Sequence, residues 1–150
     1  ARYTGGELNS IVKETARLRF ALCFPDVYEI GMSHLGSRIL YEVINSREEY
    51  ACERCFAPWP DMEKAMRENN VPIFTLETRT PLAECDIVGF SLLYEMCYTN
   101  ILTMLDLAHI HKRSADRGEN EPIIVAGGGC DLKRAAVPAI PNQLRTLWMQ

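Results

Sequence analysis

Arg19-Phe20-Ala21-Leu22-Cys23-Phe24, stopped by Pro25-Asp26, is the stretch that decides the fold. It is short, apolar after its first residue and closed by a turn. A strand buried on both faces meets that description, since neither face has room for polar residues. Two further stretches read the same way: Asp86-Ile87-Val88-Gly89-Phe90-Ser91, and Pro122-Ile123-Ile124-Val125-Ala126, which runs into Gly127-Gly128-Gly129. A fourth strand is expected over residues 52–57.

Helical patterns separate these strands. Leu35, Ile39, Leu40, Val43 and Ile44 recur at helical spacing after Ser33, which reads as the N-cap. Pro58-Trp59-Pro60-Asp61 turns the chain into a helix over 62–69, with Asp61 as its cap and Asn69-Asn70 at its end. The longest helix carries Tyr94, Cys97 or Tyr98, Ile101, Leu105 and Ala108. Residues 71–76 are short and extended, and Pro72 makes them an edge element. Strand and helix alternate, and the strands are apolar throughout. The expected class is therefore α/β, a parallel sheet with helices on both faces.

The whole composition agrees. A chain of 150 residues, 47% hydrophobic and 24% charged, is long enough for one domain with a real core. It is neither disordered, collagen-like nor a coiled coil. No apolar run reaches the roughly 18 residues of a membrane span. A net charge of −4 supplies no basic field for nucleic acid or anionic lipid. Residues 1–17 are polar and mixed, with Gly5-Gly6 as a breaker, and read as a lead-in. The six cysteines include several inside apolar stretches, where a free thiol packs as a small hydrophobe; a reducing, cytoplasmic setting is expected. The chain opens Ala1-Arg2-Tyr3 with no signal pattern, as a processed start or one cut from something longer would.

Chemistry in an open parallel sheet sits beyond the carboxyl ends of the strands. Three such ends carry polar or glycine-rich sequence: 25–33, 91–95 and 127–130. No dinucleotide fingerprint or phosphate loop occurs, so the glycine run serves close approach of backbone to a ligand. Cys52-Glu53-Arg54-Cys55 has metal-like spacing, but His34, His109 and His111 supply no matching pair. In a strand, the two thiols would face opposite sides. Asp26, Glu29 and Glu95 read as solvated or capping carboxylates, and no Ser-His-Asp or Cys-His arrangement can be argued from spacing.

Several segments together carry a resemblance. These are residues 1–7, Phe24-Pro-Asp-Val-Tyr-Glu-Ile-Gly-Met-Ser-His-Leu-Gly36, Phe56-Ala-Pro-Trp-Pro-Asp-Met62, Gly89-Phe-Ser-Leu-Leu-Tyr-Glu95, residues 98–108 and Ala126-Gly-Gly-Gly129. From residue 1 to about 130 the chain resembles the N-terminal region of a family of bacterial radical S-adenosylmethionine (iron–sulfur oxidoreductase) proteins, in which a cobalamin-binding-type domain precedes the catalytic domain. The resemblance implies a Rossmann-like sheet of the flavodoxin or cobalamin-binding type. It also implies cobalamin as cofactor. The 4Fe-4S cluster and S-adenosylmethionine would belong only to a catalytic domain, in the same or a neighbouring chain, because no Cys-x3-Cys-x2-Cys is present.

The general cobalamin pattern is Asp-x-His-x-x-Gly, Ser-x-Leu and Gly-Gly. Asp26, Tyr28 and Gly31 match the first with Tyr in place of His, Ser91 and Leu93 the second, Gly127 and Gly128 the third. On this reading Ser91 hydrogen-bonds the nucleotide tail's base and the glycines admit the tail. Asp26, Tyr28 and Gly31 line the mouth, and no histidine of that loop reaches cobalt. The expected domain is 18–130. Residues 131–150 would form a divergent tail replacing the last strand-helix unit, as in a truncated or frame-disrupted product. Two alternatives stand beside this reading: a degenerate docking domain that binds nothing, and a free-standing flavodoxin-like module for another small ligand.

Overall fold

A computed structural model describes residue 3 and residues 5–128. The elements run β1 (Leu18–Phe24), α1 (Tyr28–Ser33), α2 (Leu35–Asn45), β2 (Tyr50–Phe56), α3 (Pro60–Asn69), β3 (Ile87–Ser91), α4 (Cys97–Leu107) and β4 (Ile123–Gly127). All strand pairs are parallel, in the order β2-β1-β3-β4, so the sheet is an α/β, Rossmann-like arrangement. The chain moves outward from β1 to β2, then crosses to β3 on the other side. The connections reverse between β1 and β3. Gly129 and the tail at 131–150, and with them the expected loss of the last strand-helix unit, lie outside the described residues. No helix among the described residues is long and apolar enough to cross a membrane.

The two faces of the sheet are covered unequally. On one face α3 and α4 bury the main core, in which Ala21, Cys23, Cys55, Val88, Phe90, Ile124 and Ala126 from the strands meet Met66, Ile101 and Met104. On the other, α2 covers β1 and β2, with a small cluster of Leu22, Tyr41 and Cys52. Cys52 and Cys55 therefore face opposite sides, as strand alternation requires.

α2 keeps part of the apolar face read in the sequence, Leu40 and Ile44 packing against the small cluster, and departs from it in the rest. Ser37, Tyr41 and Asn45 turn inward, while Leu35, Ile39 and Val43 stand 66%, 54% and 60% exposed. The inward polar groups are all partnered. Asn45 Nδ2 donates to the Cys52 carbonyl and its Oδ1 accepts from the Cys52 N–H, both at 3.0 Å, and the Tyr41 hydroxyl accepts from Ile11 N–H at 2.7 Å. The caps shift by one or two residues as well. His34 Nδ1, in place of Ser33, accepts from Ser37 N–H, and Trp59 precedes Pro60 at the first position of α3. Residues 71–76 form no strand. Phe74 makes an isolated bridge to Pro81, and the Leu76 N–H donates to the Arg54 carbonyl.

The segment before β1 lies across α2 and β2 as a strap. Lys13 Nζ donates to the carbonyls of Asn45, Arg47 and Tyr50 at 2.8, 2.6 and 2.6 Å. Gly5 sits at φ 69°, and a Cβ there would stand 2.4 Å from the Leu76 carbonyl oxygen. Its composition is polar because it is held by hydrogen bonds at the surface of the sheet edge.

Candidate functional site

The carboxyl ends of β1, β3 and β4 gather the residues singled out in the sequence. α2 stops short of β3 and β4, so a trench of about 230 Å³ opens on that face of the sheet. Its floor is Phe20, Gly89 and Val125, its wall Leu40, Val43 and Ile44, and its carboxyl end Ser91 and Gly127. Ser91 contributes the single polar side chain of this lining, and its hydroxyl has no hydrogen-bond partner among the described residues. Ser91 and Gly127 are register partners in β3 and β4, which fixes them side by side.

The remaining sequence-singled residues are placed differently. Asp26 Oδ1 accepts from its neighbour Val27's N–H, and Oδ2 accepts from the Tyr94 hydroxyl at 2.5 Å. That second bond joins the loop after β1 to the loop after β3, across the point where the connections reverse. It holds the Tyr94 phenol above its ordinary pKa, chiefly because the hydrogen bond to the carboxylate favours the protonated form. Asn100 Nδ2 ties the same region by donating to the Pro25 carbonyl at 2.9 Å.

Tyr28 turns away from this point, toward β2. Its hydroxyl donates to Glu7 Oε1 of the strap at 2.8 Å, and its ring meets Phe56 edge-on at 5.5 Å. Burial, then the Glu7 bond, raises its pKa. Gly31 lies under aromatic rings: a Cβ there would stand 2.3 Å from Phe56 Cε1 and 3.2 Å from Phe24 Cδ1. Gly128, at φ 152°, faces backbone, and a Cβ on it would be 2.0 Å from the Leu92 carbonyl oxygen. Its glycine is needed for β4 to pass the end of β3. Leu93 is exposed, as are Ile30 of α1 and Tyr94 and Met96 of the loop after β3, all on segments that follow the carboxyl ends of β1 and β3.

Sequence reading had not singled out Phe20, Gly89 or Tyr94 as site residues, and it put Tyr94 in the longest helix, whereas α4 begins at Cys97 and Tyr94 stands in the loop before it. A glycine inside a buried strand was the available signal for the first two, since it marks a place where something else comes close. Tyr94 had none, because its partner is 68 residues away.

No cluster of His, Cys, Asp or Glu that could hold a metal ion occurs among the described residues. His34 is committed to capping α2, with Nδ1 2.9 Å from Ser37 Oγ, and its ring packs 5.1 Å from that of Phe24.

The profile of the family described as radical SAM proteins, N-terminal, matches residues 36–140. The chain belongs to this family. The match takes in β2, β3, β4 and the trench lining from Leu40 onward, though not Phe20 and Leu22 of β1, and it continues past Cys130, where the resemblance quoted above ends. A search of curated proteins finds no match. Membership of the radical SAM N-terminal family leaves the ligand of the trench to be argued from its own residues.

Proposed function

We propose that this radical SAM N-terminal domain binds a corrinoid of the cobalamin type and presents it to a radical S-adenosylmethionine catalytic domain of the same or a neighbouring chain. The observation that carries the reading is the trench that ends at Ser91 and Gly127 on the carboxyl edge of the sheet. An apolar cavity of about 150 Å³ takes a benzene ring, so one of 230 Å³ has room for a planar bicyclic base but not for a corrin. The macrocycle would rest outside it, against the exposed Ile30, Leu93, Tyr94 and Met96. Ser91 supplies a hydroxyl to the base, and Gly127 leaves the entrance free of a side chain. A bound corrinoid supplies alkyl-transfer chemistry; the protein's part is to hold and orient it. Tyr28, bonded to Glu7, gives cobalt no protein ligand. The 4Fe-4S cluster and S-adenosylmethionine belong to the catalytic domain. The described cysteines are buried free thiols, which supports a cytoplasmic setting.

A specific observation favours a second reading, a docking domain without cofactor: the Asp26–Tyr94 bond already joins the loops over the reversal point. Spectrophotometric titration with hydroxocobalamin separates the two. Saturable binding by the wild type, abolished in Ser91→Trp with the fold intact by circular dichroism, supports the corrinoid domain. Absence of binding by folded wild-type protein supports the docking domain.

A further inference from the structure

We propose that Phe20 is the aromatic platform on which the base of the corrinoid's nucleotide tail stacks, with Gly89 the residue that positions it; this rests on the corrinoid reading above. Phe20 projects from β1, yet its ring lies over the neighbouring strand. A Cβ built on Gly89 would meet Phe20 Cζ at 2.4 Å and Cε1 at 2.8 Å, so the ring fills the space where a side chain of β3 would stand. Val125 of β4 continues the same surface, its Cγ2 lying 3.3 Å from that Cβ position. Phe20 is half-buried, and the ring lines the trench floor. An aromatic floor with one hydroxyl at its end fits a planar heteroaromatic group that stacks by its face and hydrogen-bonds by its edge. Phe20 also packs against the cluster of Leu22, Tyr41 and Cys52, which holds the ring in place over Gly89.

The test compares corrinoids with and without the tail on the full chain: hydroxocobalamin against dicyanocobinamide, by titration. Base–aromatic stacking is worth roughly ten- to a hundredfold in affinity. Wild-type protein is expected to prefer hydroxocobalamin by at least about tenfold. Phe20→Leu should lose most of that preference and keep its affinity for cobinamide. Should Phe20→Leu fail to fold, Val125→Trp, at a half-buried position on the same floor, should obstruct the tail and spare cobinamide. Equal wild-type affinities, or a preference that survives in Phe20→Leu or in Val125→Trp, overturn the platform and leave the corrinoid reading standing. Binding of neither compound overturns both.

Discussion

Arg54 and Glu77 make a buried ion pair that holds the strap against the sheet, and its removal has a calculable cost. Arg54 Nε donates to Glu77 Oε1 at 2.6 Å and the Arg54 backbone N–H donates to Oε2 at 2.7 Å. The side chains are 6% and 0% exposed. The guanidinium also lies 4.4 Å from the centre of the Tyr41 ring and donates to Ser10 Oγ at 3.1 Å. Burial raises the Glu77 carboxyl pKa by more than Arg54 lowers it, so the intact pair adds little net stability. Losing one partner is another matter. Glu77→Leu strands a buried cation, at about 3–5 kcal/mol. Ser10 and Tyr41 still hold the guanidinium, which puts the expected value near the lower end, about 3 kcal/mol. With a urea slope of about 1.5 kcal/mol per molar, the midpoint should fall by about 2 M. Arg54→Met should cost less, because a carboxyl whose pKa is already raised can escape by taking up a proton. The double replacement removes both charges and leaves one N–H of the β2 edge without its acceptor, about 1–3 kcal/mol. It should therefore be less destabilised than the sum of the single changes by more than about 1 kcal/mol. Urea unfolding followed by tryptophan fluorescence measures all three. A loss below about 1 kcal/mol in Glu77→Leu, or additive single effects, would refute the argument. The outcome bears on the site as well, since the strap carries the Glu7 that keeps Tyr28 turned toward β2.

Three further outcomes are expected. Gly31→Ala should destabilise by about 1–2 kcal/mol in the same assay, because overpacking against Phe56 and Phe24 outweighs the better helix propensity of alanine. The five described cysteines are buried, and burial pushes the Cys85 thiol up to about 12; mass-mapped alkylation at pH 8 should modify them only on unfolding. The phenol of Tyr94 has a folded pKa above its ordinary 10.0, so the bond to Asp26 contributes fully below pH 10 and is lost as pH rises through the raised value. Asp26→Asn should bring the Tyr94 titration back toward 10.0, read by tyrosinate absorbance against a Tyr94→Phe control.

β1, β3 and β4 were legible because their runs are apolar throughout, although among the described residues β4 is buried on one face only, with Ile124 and Ala126 covered and Ile123 exposed. α2 was legible as a helix and only in part as a face, since Leu40 and Ile44 turn inward as expected and Leu35, Ile39 and Val43 do not. Leu35, Ile39 and Val43 share one helical spacing, and Ser37, Tyr41 and Asn45 share the same spacing a quarter-turn or more around. Apolarity favours the first set. The second wins because Cys52 and Ile11 supply bonds for the inward polar groups, partners that only the tertiary structure brings within reach. α1 escaped notice because Tyr28–Ser33 is too short for a period to show. At the site, Ser91 and Gly127 stand together because each ends a strand, a fact the sequence carries. Where Tyr28 points depends on Glu7, 21 residues earlier, and no local pattern records that.

The position of the trench follows from topology rather than from any one motif. α3 and α4 pack on one face, while α2 occupies the other face over β1 and β2. Among the described residues this leaves the carboxyl part of that face of β3 and β4 to Gly89, Ser91, Val125 and Gly127, whose side chains are small or absent. Such a surface cannot seal itself. Phe20 leans over from β1 to cover part of it, and it can do so only because residue 89 is glycine. At the reversal point, by contrast, Asp26, Tyr94, Asn100 and the Pro25 carbonyl already satisfy one another. A ligand entering there would have to break bonds that the protein has made. A ligand entering the trench meets, among the described residues, an unpartnered hydroxyl and an apolar floor that no helix covers, and breaks no bond between them. That asymmetry favours the proposed site on the β3–β4 side, while the bonds of Asp26 and Tyr28 tie the loop after β1 to Tyr94 and to the strap.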